Sequence, residues 1–335
     1  NAQAPRLVKS EEGMVLRDNV FGTPEEDARR RDFTVNALSY NIADFSLIDY
    51  VGGMEDLERG IIRTIGDPRV RFTEDPVRML RAVRFAALLG FTIEPATWEA
   101  MVELGTTVVR AAPPRLFEEI LKLFLCGEGE RCYQLMRQAG LFAPLFPRFS
   151  EWLATESDGF PHVRVGKALE WVDDSCQRGE KVAPQVLLAF VFGHYLEERA
   201  QCLHQTGVPF LQALDMAVAE FIAELLPTVQ IPHKLGTMVR DILATGNRMQ
   251  KTPGKRPQVV VARKCFGDAV TYLRFAAAVA GESDAQALWW EKYSRECGTP
   301  AAVADGEPPP GAKTGSGRRR RRRRRGRSGA AATDT

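Results

Sequence analysis

The stretch Glu74-Asp75-Pro76-Val77-Arg78-Met79-Leu80-Arg81-Ala82-Val83-Arg84-Phe85-Ala86-Ala87 constrains this chain more than any other. At about 100° per residue, Asp75 falls about 60° to one side of Arg78 and Arg81 about 60° to the other, while Met79, Leu80, Val83, Ala86 and Ala87 share the opposite side. Opposed stripes of this kind predict a helix laid against a core. Thr73 reads as its N-cap, with Glu74 and Asp75 in the first turn and Pro76 early enough to be tolerated. The charged face has two readings. It is either a solvated surface laced by i,i+3 and i,i+4 ion pairs, each worth about 0.2–0.5 kcal/mol, or a rigid set of carboxylates and guanidinium forks. The second can imitate a base-pairing edge, for which arginine's fixed planar donors suit better than lysine's.

A second cluster, Arg30-Arg31-Asp32-Phe33-Thr34-Val35-Asn36-Ala37-Leu38, puts a carboxylate between cations and an apolar run. Asp32 reads either as the cap of a helix over 31–43 or as a carboxylate at a ribose or metal-bound site, with arginine near a triphosphate. Phosphoryl transfer depends on positioning and on neutralised phosphate charge, which these residue types supply. Leu47-Ile48-Asp49-Tyr50-Val51 and Ile61-Ile62-Arg63-Thr64-Ile65 read as short strands closed by glycines, with no pairing partner in view. Further helical stretches follow near 95–109, 114–126, 128–139, 163–177, 183–203, 208–226, 234–249 and 266–281. No fixed period links these stretches, so an irregular helical array is expected rather than a solenoid.

With 335 residues, 44% of them hydrophobic, the chain can bury large cores. The net charge of +2 averages two unlike parts: residues 303–335 carry +7 and the rest −5. The tail, Arg318 to Arg325 and then Arg327, has almost no apolar residues, so disorder is expected. Its natural partner is the phosphate backbone of RNA, without base stacking. Six scattered cysteines without a CxxC pair predict reduced thiols, and four dispersed histidines give no zinc spacing. No apolar run is long enough to span a membrane, and no leader pattern appears, so a cytoplasmic protein is expected.

The cluster at 30–38, then Asp49-Tyr50-Val51-Gly52-Gly53 with Asp56-Leu57, then Glu74-Asp75-x-x-Arg78-x-x-Arg81 together resemble the class II nucleotidyltransferases: tRNA CCA-adding enzymes and bacterial poly(A) polymerases. The segment Leu16 to Ala28 and the arginine-rich tail favour the poly(A) branch. The resemblance is dense over about 13–145 and thinner beyond.

The resemblance implies a mainly α chain, with the remnant of an α/β nucleotidyltransferase head at 1–72, a helical neck at 73–150, a helical body at 151–302 and a disordered basic tail at 303–335. It implies Asp32 as catalytic and Arg31, Glu74, Asp75, Arg78 and Arg81 as nucleotide-binding. For RNA it implies Arg84, with Arg318, Arg319, Arg320, Arg321, Arg322, Arg323, Arg324, Arg325 and Arg327.

The implied activity is template-independent addition of adenylate from ATP to RNA 3′ ends, with Mg2+. CCA addition to tRNA and a non-catalytic RNA-binding module are the alternatives. RNA-degradation proteins are a partner class it leaves open. The family's glycine-rich turn and Asp-x-Asp metal pair lie upstream of Asp32, and residues 1–31, which open on Asn1 without methionine, contain neither. The expectation is therefore an N-terminally truncated polymerase, inactive alone and with unknown metal ligands.

Overall fold

The computed structural model describes residues 22–155, 161–250 and 256–297, and two short strands before them. Those strands, β1 (Val8–Lys9) and β2 (Val15–Arg17), pair antiparallel. Helix α1 (Pro24–Arg30) opens with a capping box: Thr23 Oγ1 accepts from the Glu26 N–H, and Glu26 Oε2 accepts from the Thr23 N–H.

Residues 31–43 do not form the expected helix. Asp32 to Thr34 run extended beside 63–65, with the Thr34 N–H donating to Arg63 O (3.0 Å) and the Ile65 N–H to Asp32 O (3.1 Å). A 3-10 turn over Thr34–Asn36 leads to β3 (Ser39–Tyr40), which pairs antiparallel with β4 (Leu47–Ile48). Phe33 is fully buried and meets Phe85 edge-on at 6.0 Å, and this tertiary anchor overrides a weak local helical pattern that includes β-branched Thr34 and Val35.

The strands expected to lack partners both have one. Leu47–Ile48, shorter than expected, takes Ser39–Tyr40, and β5 (Ile61–Ile62) pairs in parallel with β6 (Thr92–Ile93) from beyond the neck helix. Between them, α2 (Gly53–Arg59) is set by Asp49, whose carboxylate accepts from the N–H groups of Val51, Gly52, Gly53 and Met54, each at 3.0 Å. Burial raises the Asp49 carboxyl, but those four donors outweigh it and hold it below the usual carboxylate range. Gly53 has no substitute here, because a Cβ would lie 2.3 Å from Thr34 O. The Asp-Tyr-Val-Gly-Gly run is a joint that seats the Asp32 loop.

Helix α3 (Pro68–Glu74) starts from Asp67, whose side chain accepts from the Arg69 and Val70 N–H groups. Thr73 therefore lies inside a helix instead of capping one. Asp75 leaves the helical region (φ −148°, ψ 94°), as a residue before proline tends to, and α4 (Val77–Leu89) restarts behind Pro76. The inner face of α4 is buried as the wheel predicts: Met79, Leu80, Val83, Ala86 and Ala87 are all at most 1% exposed.

The array continues as α5 (Pro95–Leu104), α6 (Pro113–Phe124), α7 (Gly129–Gln138), α8 (Phe142–Leu145), α9 (Pro147–Leu153), α10 (Pro161–Gln177), α11 (Pro184–Gln205) and α12 (Phe210–Leu225). It ends with α13 (His233–Met249), α14 (Pro257–Val261), α15 (Phe266–Ala280) and α16 (Ala285–Glu296). All eight expected helical stretches are present, although the first closes at Leu104 and passes into a 3-10 turn. The short α8, α9 and α14, and α16 itself, had not been expected. Proline opens α5, α6, α9, α11 and α14, where its missing N–H has no partner to lose.

Helix α11 packs on α10, α12, α13 and α15. One core runs from Phe33 through α4, α6 and α7 to Phe275, and a second gathers around Trp290. All described residues belong to one compact unit that ends at Thr299. The tail and its arginines lie outside the described residues. Among those described, no helix is long and apolar enough to cross a membrane.

Candidate functional site

The turn after α1 is fixed from two sides. Its backbone pairs with 63–65, and Arg71 on α3 donates from Nη2 to Arg30 O (2.7 Å) and Arg31 O (2.6 Å). Asp32 is thereby held with 8% exposure, its carboxylate accepting from the Phe33 N–H (3.0 Å), Asn36 Nδ2 (3.1 Å) and Arg81 Nε (2.6 Å). Burial raises this carboxyl, yet the donors and the Arg81 charge prevail and hold it below its ordinary value. Asp32 is an anion at any pH near neutral.

Further charged groups stand around it. Arg78 Nη1 donates to Arg71 O (3.0 Å) and to Glu74 Oε2 (3.4 Å), and Glu74 also receives Arg71 Nη1 at 3.0 Å. Burial, then the Arg71 charge, pull the Arg78 guanidinium down from its usual value. Asp75 is gripped bidentately by Arg115 of α6 at 2.9 and 2.7 Å. Glu119, one turn further along α6, bonds Lys122 at 2.7 Å and faces Arg84 at 3.8 Å. Phe85 lies under two guanidinium groups, with Arg81 at 5.2 Å and Arg84 at 4.7 Å from its ring centroid.

These side chains enclose a cavity of about 450 Å³. Five of the residues singled out in the sequence line it: Arg31, Asp32, Asp75, Arg78 and Arg81. Glu74 is not among the lining residues; it braces Arg71 and Arg78 behind the wall. Arg84, expected at RNA, is turned inward with 17% of its side chain exposed, because it packs on Phe85 and opposite Glu119.

Asn36, Phe85, Arg115 and Glu119 also line the cavity and were not singled out. Asn36 and Phe85 stood inside the two quoted motifs, four residues from Asp32 and from Arg81. Arg115 and Glu119 had no local signal, since only the fold brings α6 over Asp75.

The cavity offers fixed donors, fixed acceptors and one aromatic face, which suits an anionic ligand with a heteroaromatic ring. It does not suit a resident metal ion. Among the described residues no group of three or more metal-ligating side chains converges, and the Asp32 oxygens are already committed to Arg81, Asn36 and the Phe33 N–H.

The fold is similar to that of CCA-adding nucleotidyltransferases. The Thermotoga maritima CCA-adding enzyme complexed with tRNA matches with a TM-score of 0.53 at 21% identity, over 84% of this chain and 63% of that one. Three family models match in order: the poly A polymerase head domain over 2–63, the probable RNA and SrmB-binding site of polymerase A over 90–153, and the polymerase A arginine-rich C-terminus over 206–327. Poly(A) polymerase I of Salmonella typhi is 41% identical over 288 residues, 85% of this chain, and that of Haemophilus influenzae is 37% identical over 287. The chain belongs to the bacterial poly(A) polymerase family of nucleotidyltransferases. It spans 62% and 64% of the length of those two relatives.

Proposed function

We propose that this chain is the base-selecting and RNA-holding part of an enzyme that adds adenylate from ATP to RNA 3′ ends without a template. The observation that carries this reading is the cavity on the charged face of α4, where Asp32, Asp75, Arg78 and Arg81 meet Arg115. Asp75 and Arg78 present acceptors and donors to the base, Arg31 lies toward the phosphates, and Asp32 faces the reacting end. Residues 1–72, 73–150 and 151–302 serve as head, neck and body, in a protein that acts in the cytoplasm. Metal-binding carboxylates come from outside the described residues. RNA-degradation proteins are candidate partners.

The direct test is equilibrium binding of ATP, CTP and GTP to this chain. ATP should bind at least about tenfold more tightly than CTP, a difference of roughly 1.4 kcal/mol; equal affinities overturn the base-reading role of α4. Joining the chain to the part of the Salmonella typhi relative that it does not match tests transfer. ATP alone should then extend an RNA 3′ end by a long adenylate run. A requirement for CTP, with arrest after a short addition, assigns CCA addition instead, and RNA binding with no transfer leaves a binding module.

The arginines at 318–327 contact RNA phosphates in this reading. Deleting them should flatten the slope of log affinity against log salt by several units. An unaltered slope removes the tail from RNA binding.

A further inference from the structure

Three cysteines that were expected to be scattered thiols meet where α6 passes into α7. Cys126 follows the last turn of α6, Cys132 sits in the second turn of α7 and Cys176 closes α10. Cys126 Sγ lies 4.0 Å from Cys132 Sγ, and its thiol reaches Leu123 O at 3.2 Å. Cys176 Sγ points at Leu125 O. Cys132 is fully buried, whereas Cys126 and Cys176 are half-buried. Cys202 and Cys297 are exposed, and Cys265 lies apart beside Thr245.

The surroundings of the two close sulfurs differ in a way that gives them different chemistry. Either thiol can donate in the Cys126–Cys132 contact, the Glu128 N–H donates to Cys126, and the Arg84 charge lies within reach. The contact with Cys132 comes first among these effects and, against the opposing push of burial and of the Asp173 charge, brings Cys126 down to about 7. The same contact and burial drive Cys132 strongly upward, so it keeps its proton. A reactive cysteine needs a stabilised thiolate, partial access and a second thiol near enough to resolve it. Cys126 has all three.

We propose that Cys126 and Cys132 form a peroxide-responsive pair that closes to a disulfide at the α6–α7 junction. The Cys126 thiolate attacks the O–O bond of a hydroperoxide; an S–O bond forms, and the departing alkoxide or hydroxide takes a proton to leave as alcohol or water. Cys132, deprotonated as it attacks, then bonds to the sulfenic sulfur and expels hydroxide, which leaves as water. Two thiols are oxidised and one peroxide is reduced. The junction lies at the end of the helix that carries Arg115 and Glu119, so the modification acts beside the candidate cavity. It does not depend on that cavity binding a nucleotide.

The test uses the reduced full chain, hydrogen peroxide near stoichiometry and peptide mapping without reductant. The expected product is one Cys126–Cys132 link, formed before Cys202 or Cys297 is oxidised and reversed by dithiothreitol. Cys132→Ala should instead leave a sulfenic acid on Cys126 that dimedone traps, and Cys176→Ser should leave the link intact. A Cys126–Cys176 link overturns the pairing. Oxidation at Cys202 and Cys297 with Cys126 still open to alkylation overturns the reactive site, and the wild-type map decides this even if a variant fails to fold.

Discussion

Asp32 beside the neck helix and Glu197 in the body are both carboxyls taken largely out of water, yet the protein treats their charges in opposite ways. Asp32 receives three donors, one of them the Arg81 guanidinium at 2.6 Å, and stays ionised despite burial. Glu197 on α11 receives only the Tyr272 hydroxyl at 2.9 Å, and burial pushes it up to about 7, with that hydroxyl and the Arg164 charge pulling back less. Tyr272 in turn belongs to a cluster of rings, with Phe190 stacked on Phe275 at 4.2 Å and Arg164 over Phe275 at 5.6 Å. Donor geometry, rather than depth, decides whether a buried acid keeps its charge. The charged face of α4 keeps several charges and a cavity between them, as the proposed ligand site requires. The body packs its acid into an aromatic core, as a structural position requires.

Removing the Asp32 charge, catalytic in the proposed reading, should have the largest effect. In the fused, transfer-competent protein, Asp32→Ala should lower adenylate incorporation by on the order of 10²–10³-fold. It also leaves Arg81 unpaired. That guanidinium is about a third exposed, so the stability cost should stay at roughly 1–2 kcal/mol, visible as a modest shift in urea midpoint. Incorporation within twofold of wild type would place Asp32 with Glu197, as a structural acid.

The body acid should show itself in pH dependence instead. The Glu197 folded value lies above its ordinary value of 4.5, so both states hold the proton below that pH. As pH climbs from there through about 7, the unfolded chain has lost the proton that the folded chain still holds, and stability declines. The loss should be on the order of 3 kcal/mol, counting about 1.36 kcal/mol for each pH unit of difference. Glu197→Gln cannot titrate, so the stability gap between variant and wild type should widen in the variant's favour between pH 5 and 8. Parallel stability curves would mean the carboxyl finds water or a cation in solution.

What the sequence made legible follows from how local each cause is. The apolar face of α4 repeats at helical spacing, so Met79, Leu80 and Val83 announce the buried stripe, and Asp32, Arg78 and Arg81 stand in motifs whose order carries the family resemblance. Phe33 misled, because its burial against Phe85 is decided by residues far along the chain, and the helix read over 31–43 became an extended turn. Thr73 misled for a local reason: Asp67 caps α3 first, and Pro76 then forces the break at Asp75. The two-residue strands β5 and β6 are too short to leave a pattern, and their parallel pairing exists only after α4 has folded back. Arg115 is the sharpest omission, since nothing near it in sequence points to Asp75.

Arg115 also gives the smallest of these effects and the finest probe of the neck. Both Asp75 oxygens are engaged, Oδ1 by Arg115 Nη1 and the Val77 N–H (3.2 Å), and Oδ2 by Arg115 Nη2. The grip leaves the carboxylate one orientation, which in the proposed reading is the one that meets the base. Arg115 is about half exposed, so water screens the pair and its contribution to stability is small. Arg115→Ala should therefore leave the fold intact and let Asp75 turn. The ATP-to-CTP affinity ratio should fall by up to about tenfold, or roughly 1.4 kcal/mol, while RNA affinity holds. Arg115→Lys should recover only part of the ratio, because an ammonium cannot hold both oxygens in one plane. A ratio unchanged in both variants would show that the Val77 N–H alone orients Asp75, and would move the reading of the base to Arg78.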